Sequence, residues 1–130
     1  MLEGVRSQAG RVGKVVYARM APNEDLVQGL EKICIAQGLR HALVRSGLGS
    51  LVDACLQLPG GQMQAVVGPA VEVLGLYGEV AVQADGSMRA ELAGLVVDAA
   101  GRVLSGGFVA GANPVFATFE VTLEEWLPAP

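Results

Sequence analysis

Ser105-Gly106-Gly107-Phe108-Val109-Ala110-Gly111-Ala112-Asn113-Pro114-Val115-Phe116-Ala117-Thr118-Phe119-Glu120-Val121 is the stretch that decides the fold. Apolar, β-branched and aromatic residues fill both ends. A Gly-Ala-Asn-Pro break divides them, so the stretch predicts two β-strands joined by a corner. It holds no His, Cys, Lys or Asp, and only the lone acid Glu120. It therefore builds architecture and brings almost no chemistry.

Working back from it, the strand 102–110 is preceded by the turn Ala99-Ala100-Gly101. Met88 to Asp98 reads as the strand before that turn. Asp85-Gly86 is a strong hairpin signal, and Val71 to Gln83 is its other arm. Further back, Pro59-Gly60-Gly61 is a turn, followed by a short segment at 62–67. Ala42 to Leu58 has period two and predicts one long bent strand or two strands broken at Ser46–Ser50. Val15 to Met20 is a first strand. Between it and Gly38 the period changes to that of a helix. Leu26, Leu30, Ile33 and Cys34, with Val27, form one apolar stripe, which predicts a helix over 24–37. Asn23 is placed as its N-cap, and Gly38 as its C-terminal stop. The result is an α+β fold: a mainly antiparallel β-sheet of six to seven strands with one principal helix packed on it. Residues 1–13 read as a flexible N-terminal segment, 14–124 as the domain and 125–130 as a short C-terminal tail. Trp126 in that tail is expected to pack on a neighbouring subunit.

Of 130 residues, 52% are hydrophobic and only 17% charged, against about a quarter charged in average soluble domains. Such a chain either lies in a membrane or hides surface against copies of itself. No apolar run approaches the ~20 residues of a spanning helix, and Met1 to Gly13 has no apolar segment of the secretory type. A cytoplasmic homo-oligomer, with no membrane contact, is the expectation. Net charge is −4. Arg6, Arg11, Lys14 and Arg19 against Glu3 make residues 1–20 net +3, which leaves −7 for the remainder. An acidic body disfavours broad nucleic-acid binding.

Candidate chemistry is sparse. Gly47-Leu48-Gly49 lacks the third glycine and the following helix of a dinucleotide fingerprint, so a bulge or bend in a strand is the reading. Cys34 and Cys55 match no metal or redox spacing and read as small buried hydrophobes. His41 is the single histidine, read as solvated or capping. Glu72 and Glu79, seven apart on one strand, should point to opposite faces. Arg89 and Glu91 alternate onto one face, and Arg45 and Asp53 lie on other strands. Arg45, Arg89, Glu91 and Asn113 are the candidate polar cluster for a ligand or an interface. No catalytic set, cofactor or metal site is expected, and the reading leans away from an enzyme.

The order of pieces is specific. A strand and a helix opened by Pro22-Asn23-Glu24-Asp25 precede Ser46-Gly47-Leu48-Gly49-Ser50-Leu51-Val52-Asp53-Ala54. Then come Glu72-Val73-Leu74-Gly75-Leu76-Tyr77-Gly78, a hairpin, Gly101-Arg102-Val103-Leu104-Ser105-Gly106-Gly107 and Phe116-Ala117-Thr118-Phe119-Glu120-Val121. Over roughly 14–124 this resembles the plants-and-prokaryotes conserved (PPC) domain, of the stand-alone prokaryotic type. The resemblance implies an α/β fold with a mainly antiparallel sheet, and a homotrimer; the expected role is an interaction or regulatory module. Prokaryotic members are often labelled DNA-binding by analogy with plant relatives, so DNA enters as a partner only by family analogy. The plant AT-hook core Arg-Gly-Arg-Pro is absent, and Gly10-Arg11-Val12-Gly13-Lys14 only echoes it. Many prokaryotic relatives carry histidines suggestive of a metal site where this chain has Arg89, Glu91 and Phe108. The alternative function is a small-molecule binder or enzyme, its ligand unknown, with a polar pocket between subunits.

Overall fold

The computed structural model describes residues 3–130. It has nine elements: β1 (Gly10–Met20), α1 (Leu26–Gln37), β2 (His41–Leu51), β3 (Ala54–Gln57), β4 (Met63–Val66), β5 (Val71–Val82), β6 (Met88–Val97), β7 (Val103–Phe108) and β8 (Val115–Pro128). All eight strands join one sheet in the order β1-β8-β2-β5-β6-β7-β3-β4, and every neighbouring pair is antiparallel. The α+β class and the single packed helix are as the sequence predicts. The count is eight strands rather than six to seven. β3 and β4 are four residues each, too short to show a period, and they are defined by pairing with each other and, for β3, with β7.

The hairpin turns lie where the turn residues place them. In the β5–β6 turn the Asp85 carboxylate accepts from the Ser87 N–H and hydroxyl. In the β6–β7 turn Asp98 accepts from the N–H groups of Ala100 and Arg102 and pairs with the Arg102 guanidinium. These bonds hold both carboxyls below the usual carboxylate range. Their cause is direct: the anion is the form that accepts.

Four sequence readings are corrected. The break in the 42–58 stretch falls at Val52–Asp53, while β2 continues through Ser46–Ser50. Its pairing with β8 shifts register between Val44 and Ser46 and between Gly49 and Leu51. The bulge reading of the glycines therefore holds, and packing explains Gly47: a Cβ there would lie 2.7 Å from the Leu76 side chain. The helix N-cap is Asp25, not Asn23, and the helix starts at Leu26. Glu24 and Asp25 are held against the segment leading into β8, since Val115 N donates to Glu24 O and Leu26 N to Asn113 O, and Asp25 is extended. Asn23 takes a left-handed φ of 72° in the preceding turn. Asp25 accepts instead from Gln28 N at 2.9 Å. Thirdly, β1 starts at Gly10, inside the stretch read as a loose segment, and β8 runs to Pro128, because the two pair to their ends. Trp126 thus belongs to β8 and lies over Gly10 of its own chain. Finally, Glu72 and Glu79 are both exposed on one side of β5. A bulge between Val73 and Gly75 resets the alternation, so that Val73 and Leu76 are both buried.

The helix covers one face of the sheet. Leu26, Leu30 and Cys34 of α1 are fully buried there with Val80, Val96, Phe119 and Leu123. Burial pushes the Cys34 thiol up to about 11, so it packs as an apolar group. The opposite, outer face has no helix. Tyr17, Leu48, Leu74 and Tyr77 are each about 60% exposed or more on it.

Candidate functional site

The site begins with a parting of strands. The β6–β7 ladder runs from Val97↔Val103 to Ala93↔Gly107 and stops. There β7 turns to β3, pairing Phe108 with Leu56, and Val109 N donates to Cys55 O. Residues 88–92 of β6 keep β5 on one side and have no ladder partner on the other. An unpaired backbone N–H beside a core is costly, and α1 supplies the substitute: Ala90 N donates to the Glu31 carboxylate at 2.9 Å.

A cleft of about 630 Å³ opens along this edge, lined among others by Val27, Glu31, Tyr77, Arg89, Glu91 and Phe108. Its charges are loosely held. Arg89 Nε is 3.5 Å from Glu91 Oε1, with both side chains at least 64% exposed, a geometry worth little. Glu91 sits directly opposite Glu79 in the β5–β6 register. His41 Nε2 is 3.5 Å from Glu79 and has no hydrogen-bond partner among the described residues.

Of the four predicted cluster residues, Arg89 and Glu91 meet in the cleft. Arg45 lies elsewhere on β2, paired with Glu124. Asn113 is fully buried in the corner between β7 and β8. Its Oδ1 accepts from Cys55 N (2.9 Å), and its Nδ2 donates to Val109 O (2.8 Å) and Cys55 O (3.3 Å). Its own N–H donates to Asp25 at 2.9 Å. It ties the β7–β8 corner to β3 and to the helix cap, with no donor left over for a ligand. Asp53 is likewise occupied, accepting from Gly68 N. Glu31 and Tyr77 were not singled out from the sequence. Glu31 had a signal: it follows buried Val27 by four residues, so helical spacing aims it at the sheet.

The three positions that the resemblance equates with family histidines, Arg89, Glu91 and Phe108, do converge on one cleft. Their chemistry does not suit a metal ion. A guanidinium stays protonated, a phenyl ring has no lone pair, and a single carboxylate remains. Among the described residues no three His, Cys, Asp or Glu side chains group to hold an ion, and no helix is long and apolar enough to cross a membrane.

On the outer face a second polar group joins β1 to β8. Tyr17 donates to Glu120 at 2.5 Å, and Arg19 pairs with the same carboxylate at 3.1 Å. That hydrogen bond is the main reason the Tyr17 hydroxyl is raised and the Glu120 carboxyl lowered from their ordinary values.

An antiparallel sheet wrapped on one helix, with a cleft where β6 and β7 part, defines a small α+β domain. The chain belongs to the family of the Plants and Prokaryotes Conserved domain, whose profile matches residues 7–127. Among curated proteins none matches. Three solved structures share the fold. A metal-containing protein from Archaeoglobus fulgidus is 22% identical, with a TM-score of 0.80, covering 95% of this chain and 87% of its own. A plant- and prokaryote-conserved protein from Pyrococcus horikoshii is 22% identical, with a TM-score of 0.77, covering 97% and 85%. A candidate DNA-binding protein from Bacteroides thetaiotaomicron is 15% identical, with a TM-score of 0.74, covering 89% and 83%.

Proposed function

We propose that the protein is a homotrimeric interaction or regulatory module that works in the cytoplasm. The observation that carries this is the outer sheet face, where large apolar side chains stand exposed on a chain with too few charges to cover a monomer generously. Scattered apolar residues are ordinary on a surface, but several on one sheet face mark a contact. Burying them would contribute about 25 cal/mol per Å² before the cost of association. Native mass spectrometry of the purified protein at micromolar concentration tests the reading. A mass of three chains supports it, and a monomer ends it.

A second reading is favoured by the β6 cleft: a small polar ligand held by Arg89 and Glu91 at a boundary between subunits. A reproducible extra mass on the trimer, lost in Arg89→Ala, would support it. Direct DNA binding has less behind it. A DNA-binding label on a relative of 15% identity is fold-level analogy, and a net charge of −4 repels phosphate. Salt-sensitive DNA binding lost on deletion of residues 1–13 would reverse that judgement.

A further inference from the structure

Successive residues of a strand turn their N–H and C=O groups to opposite edges. In β6 the two edges can be told apart. The Glu91 C=O points to β5, where a Cβ on Gly78 would strike its oxygen. The Leu92 C=O points to the β7 side, 3.7 Å from where a Cβ on Gly107 would sit. Ala90, two residues before Leu92, therefore turns its N–H and C=O into the cleft. The N–H is met there by the Glu31 carboxylate, a side chain in the place where a neighbouring strand would put a carbonyl.

The charges on this edge lack cross-strand partners of the right sign. Glu91 has Glu79 directly opposite on β5, and like charges so placed weaken a sheet. Arg89 has Ala81 opposite. Its only ion pair among the described residues is with Glu91 of its own strand, at 3.5 Å. A guest strand on the open side would answer both, with a base opposite Glu91 and an acid opposite Arg89. Those guest positions are two residues apart and share the outer face with exposed Arg89 and Glu91. The guest residue between them lies opposite buried Ala90, on the helix side, where Val27 and Glu31 line the cleft.

We propose that the cleft takes an extended peptide, carrying a base and an acid two residues apart, as an added strand on residues 88–92 of β6. The peptide's middle residue exchanges both main-chain hydrogen bonds with Ala90 and releases Glu31. Main-chain bonds supply the affinity and alternate side chains the selectivity. The proposal rests on the interaction-module reading above and names the kind of partner.

A backbone-amide NMR titration with the capped peptide acetyl-Val-Lys-Ala-Glu-Val-amide tests it. Shifts are expected at residues 88–92, with slowed exchange of the Ala90 N–H. N-methylation of the peptide's alanine removes the donor to the Ala90 C=O and is expected to weaken binding about tenfold or more. Replacing the peptide's lysine by glutamate should cost about tenfold, and Glu91→Lys should reverse that preference. Circular dichroism checks that Glu91→Lys stays folded. Equal binding of the methylated peptide would mean attraction by charge alone. An absence of shifts at 88–92 in millimolar peptide would mean no docking. Either result overturns the proposal. A trimer that ignores the peptide leaves the assembly reading standing, whereas a monomer that binds it ends the trimer reading and keeps the docking.

Discussion

Two polar regions of this molecule, both picked out by residue type, differ in what surrounds them. Asn113 is fully buried, and every polar atom of its side chain has a partner. At the β6 cleft the charges are exposed, paired at 3.5 Å or opposed to their own sign. The first region is architecture, and on the function proposed above the second is surface in reserve for a partner. A buried polar group persists only when satisfied, because leaving it unpaired costs more than the bond is worth. Exposed charges face no such constraint and can remain mismatched until something binds.

The comparison breaks first if the Asn113 knot proves dispensable. Asn113→Ala removes three side-chain hydrogen bonds and leaves the N–H and C=O of Cys55 without the amide that bridges them. A loss of about 3 kcal/mol is expected in urea unfolding, from unsatisfied groups plus a small void. Asp25→Ala should come next. It removes the helix cap and the tie to Asn113 N together, for about 2 kcal/mol. Glu31→Ala strips the cap from Ala90 N, but the cleft admits water to that N–H, so about 1 kcal/mol is expected.

How much of this was legible in the sequence depends on how local each feature is. Gly38, Asp85-Gly86 and the Asp98–Arg102 turn are set by bonds within a few residues, and their places were readable directly. The apolar stripe of α1 was readable for the same reason. The parting of β6 from β7 is decided by β3, some fifty residues earlier in the chain, and no period in 88–97 announces it. The parity argument for Glu72 and Glu79 assumed an unbroken strand, and one extra residue at Leu74 reversed it. Asn113 looked like a ligand candidate because its residue type is polar, whereas its role comes from Cys55, Val109 and Asp25, none of them adjacent in sequence except through the corner. Arg89 and Glu91 were placed together because two residues on one strand two apart must share a face.

The smallest stability effects are expected at the cleft, and the pH response separates it further from the rest of the molecule. Arg89→Ala should change unfolding free energy by less than about 0.5 kcal/mol, as exposed ion pairs do. Acid acts instead on Asp85, Asp98 and Glu120, whose carboxyls are lowered in the fold. A lowered folded value means the stabilisation is whole above the ordinary carboxylate range and is lost as pH falls through the folded values. Alkali acts on Cys34 in the other sense. Its thiol is raised from 9.0 to about 11, so the unfolded chain ionises first, and stability drains between those two values as pH rises. Urea midpoints from pH 2 to pH 11 would show both limbs. Asp98→Asn should reduce the acid limb, leaving the part due to Asp85 and Glu120, and Cys34→Ala should reduce the alkaline limb, to which raised Tyr17 also contributes, whereas Arg89→Ala should leave the shape of the whole curve unchanged. A changed shape in Arg89→Ala would mean that the cleft charges are coupled to folding, and the division between the satisfied region and the reserve would no longer hold.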